Sequence, residues 1–140
     1  MRVLFVCVEN SCRSQMAEGF AKHVAKERGD NYLEAASAGS RPSGVVNPKA
    51  IASMREVGID ISVHKSKALA DFENPADPNR WDYAVTMGCG DECPNIDATH
   101  REDWDITDPK HMDPAEFAEV RDEIRDRVRD LIRRSSASPN

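Results

Sequence analysis

Four cysteines, Cys7, Cys12, Cys89 and Cys93, are the side chains of this chain with the greatest chemical reach. Cys7 opens the run Cys7-Val8-Glu9-Asn10-Ser11-Cys12-Arg13-Ser14, with five residues between Cys7 and Arg13. An arginine offers a planar, permanently charged fork that grips a tetrahedral oxyanion through paired N–H donors. The backbone N–H groups of a tight loop and of a helix start add further donors for the same anion. A thiol among such donors is stabilised as its thiolate, the form that attacks. Ser14 can donate its hydroxyl to the Cys7 sulfur, and Asn10 tolerates the left-handed backbone that a tight loop can require. The chemistry these residues suit is attack by the Cys7 sulfur on an oxyanion held by Val8, Glu9, Asn10, Ser11, Cys12, Arg13 and Ser14. The Glu9 carboxylate would repel that anion, so it is expected to point to solvent. The plainer alternative, a core thiol and a surface arginine, loses ground because both residues follow an apolar strand directly.

The second pair lies in the run Val85-Thr86-Met87-Gly88-Cys89-Gly90-Asp91-Glu92-Cys93-Pro94. One helical turn could bring two cysteines four positions apart within disulfide reach, roughly 4.4–6.8 Å between Cα atoms. Glycines and acids around them make poor core material, which argues against a purely packing role. A zinc site built from all four cysteines is a further reading. It fits poorly, because four residues separate the first pair, three the second, and Arg13 is left without a role. Cys12 reads as a packing residue or as an off-pathway oxidation partner of Cys7. Asp103, Asp105 and Asp108 are candidate proton donors, and spacing does not choose among them. His23, His64, His100 and His111 show no paired ligand spacing, so no metal and no cofactor are expected.

These residues need elements to hold them. Arg2 to Val8 is mostly apolar and reads as a strand buried on both faces of a parallel sheet. A helix from Ser14 to about Arg28 carries Met16, Ala17, Phe20, Ala21, Val24 and Ala25 on one face, and Gly29-Asp30-Asn31 stops it. Tyr32–Ala38 reads as a second strand. Asn47-Pro48 opens a helix with an Asn cap and Pro in the first position, closing at Gly58. Ile59–Val63 reads as extended, and Ser66–Phe72 as a short helix. Trp81–Met87 is a third strand, and His100–Ile106 a short edge strand. Asp113-Pro114 starts a last helix, with Phe117, Val120, Ile124, Val128, Leu131 and Ile132 at helical spacing. Strands alternating with helices predict a single three-layer α/β domain over residues 1–134, a small four-stranded parallel sheet flanked by helices, with 135–140 as a flexible tail. The carboxyl ends of the first and third strands then share one edge, which brings Cys89 toward Cys7.

Composition narrows the classes of function. The chain has 140 residues, 39% hydrophobic and 31% charged, with a net charge of -6. An acidic chain of this kind lacks the basic face that nucleic acid requires. No apolar run approaches the ~20 residues of a membrane span, and the first residues are too short an apolar run for a signal sequence. A cytoplasmic monomer is expected, and in that compartment paired cysteines are more often catalytic than structural.

The run Cys7–Phe20, CVENSCRSQMAEGF, resembles the low-molecular-weight protein tyrosine phosphatases, and more closely the arsenate reductases built on that fold. Val46–Ser62 with His64-Lys65-Ser66 resembles the reductases as well, and Asp108-Pro109 matches the general-acid motif of the family. The likeness runs from Val3 to about Ile132. It implies Asp108 as the proton donor, and Asn10, Glu18 and Ser37 as supports of the loop. Some relatives hold a monovalent cation there, beside an acidic residue just after the His-x-Ser segment. Lys67 stands at that place here, which argues against a bound potassium. The phosphatases follow Asp-Pro with aromatic residues that grip phosphotyrosine, whereas Lys110-His111 follows here and favours a small inorganic anion.

The resemblance implies reduction of arsenate, with phosphate as its analogue. Cys7 attacks arsenic, Cys89 displaces it from Cys7, and Cys93 then takes over as partner of Cys89. Thioredoxin or another external thiol reductant would restore the dithiol. Only Gly90-Asp91-Glu92 separate Cys89 and Cys93, a shorter insert than in several relatives, which keeps a glutaredoxin or a small thiol in view. The expected role is arsenic detoxification and resistance. Two other readings use the same residues: a phosphatase that hydrolyses phosphate monoesters with Cys7, Arg13 and Asp108, and a non-enzymatic thiol sensor of metals or metalloids.

Overall fold

The computed structural model describes residues 1–72, 80–88 and 96–137. Four strands, β1 (Arg2–Cys7), β2 (Glu34–Gly39), β3 (Trp81–Thr86) and β4 (Ala98–Asp103), form one sheet in the order β2-β1-β3-β4. All pairings are parallel, with Cys7 opposite Gly39 and Val6 opposite Thr86. Helices α1 (Arg13–Arg28), α2 (Pro48–Arg55) and α3 (Pro114–Ala137) complete the described elements with a 3₁₀ turn at Leu69–Phe72. The architecture is the small parallel α/β sheet that the strand and helix pattern predicts.

β1 is central because every residue from Val3 to Cys7 is apolar and buried. Alternate residues of a strand face opposite ways, so such a run needs cover on both sides. Val3, Phe5 and Cys7 join one core with Met16, Ala17, Phe20, Ala21 and Val24 of α1 and Ile124, Val128, Leu131 and Ile132 of α3. Leu4 and Val6 join a smaller core with Ala38, Leu69, Trp81, Ala84 and Ala98. The helices therefore lie on one face, and the 3₁₀ turn packs on the other. Strand order reverses between β1 and β3, and ligands in such sheets bind beyond the carboxyl ends of the strands at that point.

Local chemistry sets the helix boundaries. At the end of α1, Gly29 N–H and Asp30 N–H return to the carbonyls of Lys26 (3.2 Å) and Ala25 (2.9 Å). Asn47 caps α2 by accepting from Lys49 N–H at 2.9 Å, with Pro48 in the first position. Arg121 of α3, buried, donates to the Ser53 carbonyl of α2 at 2.9 Å and pairs with Glu56 at 3.0 Å.

Four boundaries differ from the sequence reading. Ile59–Val63 is no strand: Ile59 and Ile61 turn inward onto α1, so close to Gly19 that a Cβ there would meet Ile61 at 2.8 Å. Only Leu69–Phe72 of the expected Ser66–Phe72 helix is helical, as a single 3₁₀ turn. The edge strand ends at Asp103, earlier than expected, because Trp104 and Ile106 leave it for the core, Trp104 stacking 5.9 Å from Phe5. The last helix runs through Ser135 to Ala137, so the expected tail boundary falls inside α3. Among the described residues no helix is long and apolar enough to cross a membrane.

Candidate active site

β1 ends at Cys7 and α1 begins at Arg13, so the loop between them is framed by the sheet's central strand and a helix start. Asn10 has φ +51°, the left-handed conformation its position requires. The reason is visible in its side chain, which is fully buried and bonded on every side. Asn10 Nδ2 donates to Ser14 Oγ at 2.8 Å, while Oδ1 accepts from Lys67 N–H at 2.7 Å and from Gln15 Nε2 at 2.9 Å. Ser14 Oγ lies 2.8 Å from Cys7 Sγ. Ser14 Oγ also accepts from Asn10 Nδ2, which leaves its hydroxyl proton available to the sulfur. The start of α1 has no side-chain cap and no acidic residue in its first turn. Its N–H groups are left for an anion.

Arg13 is buried beneath this loop. Its Nη1 donates to the Ile106 carbonyl at 3.2 Å, and Nη2 lies 3.8 Å from Asp108 Oδ2. Asp108 itself is about half exposed, and its Oδ1 accepts from Lys110 N–H at 3.1 Å. The stretch Trp104–Pro109 thus crosses from β4 to the mouth of the cradle and sets a carboxyl beside the guanidinium. Asp103 is directed elsewhere, accepting from Thr86 Oγ1 at 2.7 Å.

Cys12 lies in the same loop and is buried. Burial pushes its thiol up to about 11, so it stays protonated near neutral pH. Glu9 does not point freely to solvent as expected. Its carboxylate is held by Lys110 Nζ, at 3.1 Å and 3.2 Å from its two oxygens, because the Asp108-Pro109 turn lays Lys110 across the loop. The hydrogen bond that Lys110 donates to Glu9 raises Lys110 above its ordinary value.

Glu18 and Ser37 sit behind the cradle. Ser37 Oγ donates to Glu18 Oε1 at 2.6 Å, and Lys22 Nζ bonds Oε2 at 2.6 Å. Lys67 Nζ is 3.5 Å and His64 Nε2 3.6 Å from the same carboxylate. Burial pushes the Glu18 carboxyl up, but the bonds from Lys22 and Ser37 and the charges of His64 and Lys67 outweigh it and hold it below the ordinary range. Burial, aided by Lys22 and Lys67, pushes His64 down against the pull of Glu18. Replacement of Glu18 by Gln leaves these cations facing a neutral group and is expected to cost about 2 kcal/mol, a drop of several degrees in Tm. The sign with pH follows from a lowered carboxyl. Its stabilisation is complete above the ordinary value of 4.5 and is lost as pH falls through the lowered one. Thermal unfolding scanned across acid pH should therefore show a shallower acid loss in Glu18→Gln than in the parent.

Gln15 was not anticipated. It is fully buried, and Nε2 donates to Asn10 Oδ1 and to the Lys65 carbonyl (2.7 Å), which leaves Oε1 to accept from His64 Nδ1 at 3.0 Å. Nothing in the sequence singles it out, because Arg13 and Glu18 are polar residues of the same stretch of α1. Gly88 stood in the sequence only among the glycines that make poor core material around Cys89. It has φ +77°, and a Cβ there would lie 2.3 Å from Arg13 Nη1 and 3.2 Å from the Ile106 carbonyl. Gly88→Ala is expected to displace the guanidinium and to lower catalytic efficiency about 100-fold with the fold intact. Steady-state kinetics beside circular dichroism would check this. Cys89 and Cys93 lie outside the described residues, as does the segment 89–95. Among the described residues no group of three or more His, Cys, Asp or Glu side chains is arranged to hold a metal ion.

Comparison with known proteins agrees with this geometry. The family model described as "Low molecular weight phosphotyrosine protein phosphatase" matches residues 2–138. An arsenate reductase of Staphylococcus aureus (strain bovine RF122 / ET3-1) is 43% identical over 125 residues, covering 86% of this chain and 88% of that protein. A glutaredoxin arsenate reductase of Synechocystis sp. is 41% identical over 140 residues, covering 96% and 98%. The solved structure of an arsenate reductase in its oxidized state superposes with a TM-score of 0.80 at 38% identity, over 95% of this chain and 97% of that one. The match runs through the strand, the thiol loop, the helix and the Asp-Pro turn alike, and this chain belongs to the low molecular weight phosphotyrosine protein phosphatase family.

Proposed function

We propose that this chain reduces arsenate to arsenite. The observation that carries the reading is the chain of hydrogen bonds linking Asn10, Ser14 and Cys7, at a cradle completed by Arg13. Relatives 43% and 41% identical to this chain carry the name arsenate reductase. Arsenate binds as an oxyanion to Arg13 and the N–H groups of residues 8–14. The Cys7 thiolate attacks arsenic and forms an S–As bond, and an oxygen departs as water with the proton of Asp108. Cys89 thiolate then attacks the Cys7 sulfur. The Cys7–Cys89 bond forms, the S–As bond breaks, and its electron pair passes to arsenic, which leaves as arsenite. Cys93 attacks Cys89, frees Cys7 and leaves a Cys89–Cys93 disulfide.

An external dithiol protein of the thioredoxin or glutaredoxin class supplies the two electrons that reopen that bond. The Synechocystis relative is named for glutaredoxin. Gly88, the residue before Cys89, abuts Arg13, which supports an exchange that begins beside the cradle. The α/β domain that closes with α3 is the catalytic unit, working as a cytoplasmic monomer that binds neither nucleic acid nor membrane. Arsenic speciation after incubation with arsenate and a thioredoxin or glutaredoxin regenerating system tests the reading. Arsenite formed catalytically supports it, and arsenate recovered unchanged with both systems contradicts it.

The phosphatase reading keeps one observation in its favour: Cys7, Arg13 and Asp108 alone suffice for a phosphoenzyme step, so slow hydrolysis of aryl phosphates is a side activity of the same cradle.

A further inference from the structure

Two loops frame the mouth of the Cys7 cradle, and an ion pair joins them. Glu9 belongs to the loop between β1 and α1, and Lys110 to the turn that follows Asp108-Pro109. Lys110 Nζ lies 3.1 Å and 3.2 Å from the two carboxylate oxygens of Glu9, across 101 residues of sequence. The turn that presents Lys110 is fixed on three sides. Pro109 is buried, Lys110 N–H is bonded to Asp108 Oδ1, and Lys49 from the start of α2 donates to the carbonyls of Lys110 (3.2 Å) and Met112 (3.4 Å). Lys110 also stands in the electrostatic field of Asp108. The backbone that aims the ammonium at Glu9 is therefore the backbone that carries Asp108.

A carboxylate within an oxyanion loop opposes the anion the loop is built to hold. An ammonium bound to that carboxylate cancels its field at the distances that separate it from the pocket. Both side chains are partly exposed, 37% for Glu9 and 40% for Lys110, so the pair adds little to global stability. Its consequence falls on what enters the cradle.

We propose that the Glu9–Lys110 pair is a specificity strap. It neutralises Glu9 toward a bound oxyanion and closes the mouth between the two loops, so that a small inorganic oxyanion is admitted in preference to an aryl phosphate ester. The proposal rests on the reading of the cradle as an oxyanion site and does not depend on the reduction steps.

The test uses the full reduced chain and two probes, inorganic phosphate by calorimetry and para-nitrophenyl phosphate by steady-state hydrolysis. Lys110→Met leaves Glu9 uncompensated and is expected to weaken phosphate binding about fivefold. Glu9→Gln leaves the ammonium free and should tighten it about twofold. The double variant is neutral at this place and should bind phosphate within about twofold of the parent, yet hydrolyse the aryl ester several times faster once the mouth is unstrapped. Opposite signs in the two single variants cannot come from a shared loss of structure. Changes of the same sign, or a double variant with the parent's ratio of aryl hydrolysis to phosphate affinity, overturn the strap. A parent protein that binds no phosphate at all overturns the oxyanion site together with the strap.

Discussion

Cys89→Ser is expected to abolish catalytic arsenate reduction, by at least about 1,000-fold, while hydrolysis of an aryl phosphate survives within about threefold of the parent. In the proposed mechanism the first chemical step needs only the cradle: Cys7 to attack, Arg13 and the loop N–H groups to hold the anion, Asp108 to protonate the departing oxygen. The reducing step needs a second sulfur, because arsenic gains its electron pair only when another thiolate takes the Cys7 sulfur from it. Serine at position 89 cannot form that bond at neutral pH. The S–As intermediate then stalls, or returns to arsenate by hydrolysis. A phosphoryl group on Cys7 has no such need, since water completes its transfer. The split between the two activities is the expected signature, read from arsenite production and aryl phosphate turnover on one preparation. Persistent arsenate turnover in Cys89→Ser would contradict the relay.

Cys7→Ser is expected to remove both activities, each by at least about 1,000-fold, and to leave oxyanion binding in place. Arg13 keeps its anchors on Ile106 and Asp108, and the loop keeps the bonds that Asn10 makes to Gln15 and Lys67. Ser14 loses its sulfur partner but remains tied to Asn10. The donors that grip the anion are therefore unchanged, and phosphate should bind as tightly as in the parent, or tighter without a thiolate facing it. Calorimetry with phosphate separates loss of the nucleophile from loss of the pocket. A variant that neither turns over nor binds would place Cys7 in the structure of the loop rather than in its chemistry.

Much of the cradle was legible in the sequence because its parts are local. The strand, the left-handed Asn10, the serine behind the sulfur and the start of α1 fall within one stretch, where spacing along the chain sets spacing in space. The parallel sheet was legible too, since β1 carries no polar residue between Val3 and Cys7 and so must be covered on both faces. What the sequence hid is long-range. Nothing in the run after Asp108-Pro109 shows that Lys110 turns back to Glu9, and the expectation that Glu9 faces solvent failed for that reason. Gln15 shows no role in the sequence, because only the fold brings Lys65 and His64 against it. Gly88 stood out only as poor core material, whereas its lack of a side chain makes room for Arg13. Ile59–Val63 carries a strand-like pattern, but the chain spends it on packing against Gly19. In each case the deciding partner lies dozens of residues away.

The proposed relay ends oxidation on Cys89 and Cys93 and returns Cys7 free. It is tested most directly by giving the fully reduced protein one equivalent of arsenate without any reductant, trapping free thiols by alkylation, and mapping the peptides by mass spectrometry. The predicted result is a disulfide between the Cys89 and Cys93 peptides, with Cys7 and Cys12 both alkylated and one equivalent of arsenite released. A Cys7–Cys12 disulfide, or four free thiols with arsenate unchanged, would contradict it.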